Sequence, residues 1–248
     1  MQNRFIILFI ILFFLVKNNV AQNAPILDGE ILLYKDNNIG FHLNTYGGGG
    51  MYYRHAWHKT GSKKNFWECD FSYIRHPKEV WRYGFQENPN TYTYGRLNYV
   101  YFFRNSFGQK IELTERSYKN ALGLNLVYSV GISLALLKPA YIDYYVQNPD
   151  RTNSLVTEKY DPIKHKDEYR IYGNGQFLNG LDELKVKPGL FGRVGLSIEY
   201  GQYPDEYKSL EAGITFDAFN ETLPMLIKTE QIQFFPALYL AFNFGWKN

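Results

Sequence analysis

The side chains of this chain that could do chemistry are mostly charged residues set at alternate positions within apolar runs. Arg54, Glu68, Asp70, Arg96, Arg104, Arg193, Glu199, Glu211 and Asp217 all have this placement. Four cations and five anions enclosed in one interior must pair with one another, because an unpaired buried charge is very costly. A selective pore would more naturally carry an excess of one sign. The nine residues therefore read as a lumen charge network with a structural role, and Arg193 is expected to pair with Glu199 or Glu211. A second group, Glu158, Asp161 and His165 with Asp167 and Glu168 beyond, offers the oxygen and nitrogen ligands a divalent cation takes. Their spacing matches neither an EF-hand nor a zinc site. They are weak metal candidates; a solvated charged loop is the favoured reading, and no cofactor is expected. Asp182 and Glu183 are as suited to capping a turn as to binding.

Nucleophilic catalysis has less support. The five histidines are His42, His55, His58, His76 and His165, and no Gly-x-Ser-x-Gly occurs. Ser129 and Ser133 share a face with polar neighbours. His55 shares a face with apolar ones, the one hint of a Ser-His-acid site of the kind that hydrolyses lipid on the outside of a barrel. Gly47–Gly50 lack the Lys-Ser/Thr of a phosphate-binding loop. Cys69 is the sole cysteine, so no intramolecular disulfide can form, and it reads as a packing or surface residue. No catalytic residue is assigned, and the chain is expected not to be an enzyme.

The elements that position these residues follow from period two, the strand signature. From Leu122 to Val146 twelve of thirteen even positions are apolar or Tyr, while the odd ones are mostly small or polar. This predicts one very long strand. The same alternation recurs around 190–202, 209–219 and 238–246. It places Leu124, Leu134, Val194, Leu196, Ile214, Leu240 and Phe242 on the lipid-facing side. Upstream, Ile39, Phe41 and Leu43 form one face; so do Met51, Tyr53 and Trp57; so do Trp67, Cys69, Phe71 and Tyr73. Leu97 to Phe103 starts another strand that can run to Thr114. This makes eight strands if Gly47–Gly50 is a turn and seven if those glycines lie within one bent strand. An even count suits a single-chain bacterial barrel. Short connections near 60–64, 115–120 and 203–207 alternate with longer ones at 77–93, 147–188 and 222–233, as periplasmic turns and extracellular loops do.

Composition agrees with this layout. Aromatic residues make up 18% of the chain, with 22 Tyr and 19 Phe, yet mean hydropathy is only −0.36. Lipid-facing and water-facing residues in alternation, with aromatic girdles, produce that combination. At the N-terminus Asn3 and Arg4 precede an unbroken apolar run from Phe5 to Val16, and Asn19-Val20-Ala21 follows. That is the plan of a cleaved signal peptide over 1–21, with Ala24 as a second cut site. The run is too short for the roughly 20 residues of a membrane-spanning helix. The signal segment carries Arg4 and Lys17 and no acid, so its removal lowers the formal charge from +3 to +1. Near-neutrality gives no argument for a nucleic-acid partner. The expected organisation is a signal peptide over 1–21, an N-terminal periplasmic segment over 22–37 and an all-β barrel over 38–248. That barrel is transmembrane, up-and-down and antiparallel, with a long extracellular loop at 147–188.

Several strings, GRLNYVYFFRNSFGQ at 95–109, SLALLKPAYIDYY at 133–145, TEKYDPIKH at 157–165 and NGLDELKVKPGLFGRVGLSIEYG at 179–201, resemble an uncharacterised family of small outer-membrane barrels found in Bacteroidota. The resemblance covers most of residues 38–248. It implies a multi-pass location in a bacterial outer membrane and brings no activity and no site residues. The four consecutive glycines depart from the usual glycine-rich first strand. The expected function is an accessory or scaffold subunit of a larger outer-membrane complex, in contact with outer-membrane lipid and other outer-membrane proteins through its extracellular loops. The alternative is a small-solute channel, followed by a lipid-modifying enzyme.

Overall fold

The computed structural model describes residues 35–60, 62–84, 91–114, 122–147, 153–200, 206–227, 229 and 231–247. The expected signal peptide and residues 22–34 lie outside them. Eight strands form the barrel wall. They are β1 (Asp36–Asn44), β2 (Gly49–Thr60), β3 (Lys63–Ile74), β6 (Asn98–Thr114), β7 (Gly123–Pro139), β11 (Lys185–Tyr200), β12 (Glu206–Leu223) and β13 (Ile232–Lys247). Each pairs antiparallel with its neighbours in the order β1-β13-β12-β11-β7-β6-β3-β2, and the ring is closed. Closure runs from Asp36 opposite Lys247 to Asn44 opposite Tyr239. Five short strands lie outside the wall. β4 (Trp81–Tyr83) pairs with β5 (Thr91–Thr93), and β8 (Tyr141–Gln147) stands between β9 (Asn153–Lys159) and β10 (Ile171–Asn174).

The alternation read from the sequence decides the two faces. In β7 the odd positions Asn125, Val127, Ser129, Ser133 and Ala135 are buried inside, while Tyr128, Val130 and Ile132 are exposed outside. In β13 Leu238, Leu240, Phe242, Phe244 and Trp246 are exposed and Ala237, Tyr239, Ala241 and Asn243 are buried. Val194, Leu196 and Ile214 are likewise exposed, and Leu124 and Leu134 share that outward face half-buried. A large, continuous apolar exterior around a charged interior is the reverse of a water-soluble barrel.

Gly47 has φ +64° in the turn between β1 and β2, a conformation that favours glycine. Its N–H donates to the Asn44 carbonyl at 3.1 Å. Gly49 and Gly50 already belong to β2, so the glycine run is half turn and half strand. The first barrel strand begins at Asp36, two residues before the apolar periodicity that suggested 38. Asp36 is inward and pairs with Lys64 Nζ at 2.5 Å.

The run from Leu122 to Val146 corrects the expectation of one long strand. β7 ends at Pro139, whose ring nitrogen offers no N–H to continue the ladder. Ala140 leaves the wall, donating to Leu97 O and accepting from Tyr160 N. The even positions that face outward in β7 become, at Ile142 and Tyr144, the core of a separate module with Tyr92, Tyr160 and Ile171. The segment 147–188 is correspondingly a folded sheet and turns over much of its length, with β11 already starting at Lys185.

Leu240 lies at the middle of β13 and faces out. Leu240→Arg should cost roughly 2–4 kcal/mol, and Leu240→Ala clearly less. Guanidinium unfolding in lipid vesicles measures both; equal costs would contradict a lipid-facing Leu240.

Candidate functional site

Three arginines cross the interior and meet four carboxylates. Arg54 of β2 donates from Nε to Glu68 Oε2 at 2.8 Å and from a terminal nitrogen to Glu211 Oε2 at 2.9 Å. Arg193 of β11 reaches across to β3, donating to Glu68 Oε1 at 2.5 Å and to Asp70 Oδ2 at 3.2 Å. Arg104 of β6 donates to Asp70 Oδ1 at 2.8 Å and to Ser72 Oγ at 2.9 Å, and holds Asp217 of β12 with two bonds of 2.9 Å. The chain Glu211–Arg54–Glu68–Arg193–Asp70–Arg104–Asp217 is thus continuous, and every member is at most 3% exposed. Such forked contacts are the geometry a guanidinium makes best.

The surroundings complete the lattice. Tyr239 donates its hydroxyl to Glu211 Oε1 at 2.8 Å. Rings of Tyr52 and Tyr239 lie 5.0 and 4.9 Å from the Arg193 guanidinium carbon. The Tyr239 hydroxyl occupies the space that a Cβ at Gly195 would need. His42 Nε2 stands 2.9 Å from Asp70 Oδ2.

Two of the nine expected network residues are elsewhere. Arg96 precedes β6 and pairs with Glu79 at the loop end. Glu199 pairs with Lys110 near the opposite end of β11. The expected partner of Arg193 is also corrected. Glu199 lies six residues further along β11 and Glu211 stands opposite Ser197, while the Arg193 side chain spans the lumen to β3. His42 and Lys110 were missed as members of the interior polar set. Parity alone places both inward, once β6 is extended past Phe103.

Toward the long loops the filling changes to apolar. Ile74, Val100, Phe102, Ala135, Leu137, Phe219, Leu223, Met225 and Phe235 form one buried cluster there. Phe102 packs against Phe219 and Phe235 with ring centroids 4.8 and 5.3 Å apart. The interior is therefore filled by two materials, an ion-pair layer and an aromatic cluster.

Polar groups on the outer face are paired among themselves, as a waterless surround requires. Trp67 Nε1 donates to Asn105 Oδ1 at 3.0 Å, and Gln109 joins Asn65 and Tyr128. His55 Nδ1 lies 2.7 Å from Asn37 Oδ1, which also accepts the Tyr53 hydroxyl at 2.9 Å. The neighbours of His55 on that face are Tyr53, Trp57 and Trp67, with no serine among them. Ser129 and Ser133 are buried on the inner face.

In the loop-end module the weak metal candidates form a turn. His165 Nδ1 accepts from Asp161 N at 2.9 Å, and its Nε2 lies 2.8 Å from Glu158 Oε1. Asp161 Oδ1 takes the N–H of Ile163 at 2.7 Å. Both ring nitrogens of His165 are engaged, so this triad holds the turn and offers no open imidazole ligand. Burial opposes ionisation of Glu158, but hydrogen bonds from His165 and Lys164 hold its carboxyl below the ordinary range. Burial pushes the Tyr160 phenol up to about 12.

A closed antiparallel ring of eight strands, apolar outside and filled inside, defines a transmembrane β-barrel. No protein-family model and no curated protein matches the chain. Among solved structures it is similar to Neisserial surface protein A, at 8% identity and a TM-score of 0.40, covering 87% of this chain and 97% of that one. It is also similar to Ail, the attachment invasion locus protein of Yersinia pestis, solved with the heparin analogue sucrose octasulfate. There the identity is 7% and the TM-score 0.39, over 87% of this chain and 99% of that one. Both are small eight-stranded outer-membrane barrels.

Arg193→Ala leaves Glu68 and Asp70 short of a partner and should cost about 3–5 kcal/mol. Lys110→Ala, in the separate pair with Glu199, should cost much less. Denaturant midpoints of the two variants in vesicles test this, and equal losses would count against a connected lattice.

Proposed function

We propose that this chain is a bacterial outer-membrane barrel, non-enzymatic and closed to solutes, that acts as an accessory or scaffold subunit. Lipid covers its wall, and other outer-membrane proteins meet it at the loop end. The observation that carries this reading is the doubly filled lumen. The three-arginine lattice spans it from β2, β3 and β6 to β11 and β12, and the Phe102 cluster fills the space above. An eight-stranded interior is just wide enough for side chains to fill.

The loop-end module supports the scaffold role. Its sheet has a core of its own, and it is tied down by Arg82 on Glu168 at 2.5 Å and by Asn174 Nδ2 on the Thr91 carbonyl at 2.9 Å. It nevertheless exposes Ile163, Tyr169, Phe177 and Leu178 by 65 to 82%. Large apolar side chains held outward on a braced support suit protein contact.

Planar-bilayer recording on the purified full chain should show no unitary current, in the wild type or in Arg193→Ala. Steady ion-selective currents in the wild type would replace this reading with the channel. Mild-detergent purification from native membranes should bring down a partner that is lost on Phe177→Ser/Leu178→Ser. The folded barrel should also run faster on unheated gels than after boiling.

A further inference from the structure

A cavity of about 260 Å³ opens at the loop end, between the last inward turns of the wall and the β4–β5 hairpin. Its lining includes Arg75, Trp81, Tyr92, Arg96, Tyr99 and Asn174. It is smaller than the roughly 300–1,000 Å³ of sites for drug-sized ligands, so it suits one small ring. Its walls are braced from three sides. β10 is tied to β5 through Asn174, β4 to the following module through Arg82, and Tyr99 donates its hydroxyl to Asn174 Oδ1 at 3.3 Å.

Two features of the lining point to a ligand. The first is cationic. The guanidinium carbon of Arg75 stacks 4.7 Å from the Trp81 ring centroid and that of Arg96 lies 4.4 Å from Tyr99. Arg96 is only 7% exposed, and its Nε has no hydrogen-bond partner among the described residues. That nitrogen is itself closed to solvent, so a ligand in the cavity meets the guanidinium through its cationic field and its terminal nitrogens. Glu79 pairs with both arginines, so the group of three carries one net positive charge. One carboxylate neutralises it, whereas a phosphate ester would bring about −1.5 to −2 and repel Glu79.

The second feature is aromatic. Trp81 remains 60% exposed even with Arg75 on it, and Asn174 lines the same cavity. A ring ligand with an apolar face and polar edges matches an aromatic platform rimmed by hydrogen-bonding groups.

We propose that this cavity binds an acidic monosaccharide unit, with its carboxylate on Arg96 and Arg75 and its ring against Trp81. The site deepens the scaffold reading by giving the loop end a ligand class, and it rests on that reading only in needing the loop end to face solvent. The sugar can belong to the cell's own surface polysaccharide or to a glycan from outside; both present the same carboxylated ring.

The test is calorimetric titration of the detergent-purified full chain with methyl glucuronide, methyl glucoside and glucose 6-phosphate. Saturable binding of the glucuronide is expected, with at least tenfold weaker binding of the other two. Trp81→Ala should weaken glucuronide binding at least fivefold. Trp81 is exposed, so that variant keeps its gel heat shift. Arg96→Gln should weaken it at least tenfold. No saturable glucuronide binding overturns the proposal, as does glucoside or glucose 6-phosphate binding equally well, or a response unchanged in Trp81→Ala. Competition by the producing cell's lipopolysaccharide assigns the sugar to its own surface, and its absence assigns it to an outside glycan. Bilayer silence is read separately, so failure here leaves the closed-barrel reading standing.

Discussion

The structure depends on three arginines that each reach across the lumen for at least one carboxylate, Arg54 and Arg104 taking a second from the strand beside them. Arg193 hangs from β11, and both of its carboxylates stand on β3, on the opposite wall. Arg104 of β6 and Arg54 of β2 make the return crossings to Asp217 and Glu211 of β12. Desolvating a charge costs several kcal/mol unless its partners arrive with good geometry. Each crossing therefore fixes the height of two strands that never touch through their backbones. A one-residue slip of any of these strands would turn its charges to lipid and its apolar set inward, so the lattice and the outer apolar face specify the same register.

This constraint accounts for the arrangement of the remaining interior. Inward aromatic residues such as Tyr52 and Tyr239 lie beside guanidinium groups, where a ring face tolerates the cation and a hydroxyl can serve a carboxylate. Above Arg104 no further charge is needed, and Phe102, Phe219 and Phe235 pack against each other instead. The interior is thus filled by side chains along the described wall, while the loop end carries a different architecture. There the chain forms a second sheet with its own core, and arginines stack on aromatic rings around an open cavity.

Much of the wall was legible in the sequence because facing within a strand is a local property. Side chains alternate whatever the neighbours do, so Leu240, Val194 and Ile214 could be set outward and Arg54, Glu68 and Asp217 inward one residue at a time. The same period gave eight strands if Gly47–Gly50 is a turn and seven if it is not, and the structure resolves this with Gly47 in a turn and Gly49 and Gly50 in β2. The period did not reveal what lies beyond each face. Ile142 and Tyr144 continue the parity of Leu134 and Leu136, yet they are buried in the small module while the latter face outward. An apolar side chain is the same sign in both surroundings, and only Pro139 marks the change.

The sequence by itself determined the strand period and which side chains share a face within each strand. Tertiary structure alone decided which charges meet. Arg193 reaches Glu68 and Asp70 on another wall, not the Glu199 and Glu211 of its own and the adjoining strand. Arg96 leaves the lumen for Glu79, and His42 joins Asp70. The physical reason is that contacts across a barrel depend on the tilt and stagger accumulated around all eight strands, a sum that no single strand carries in its own alternation.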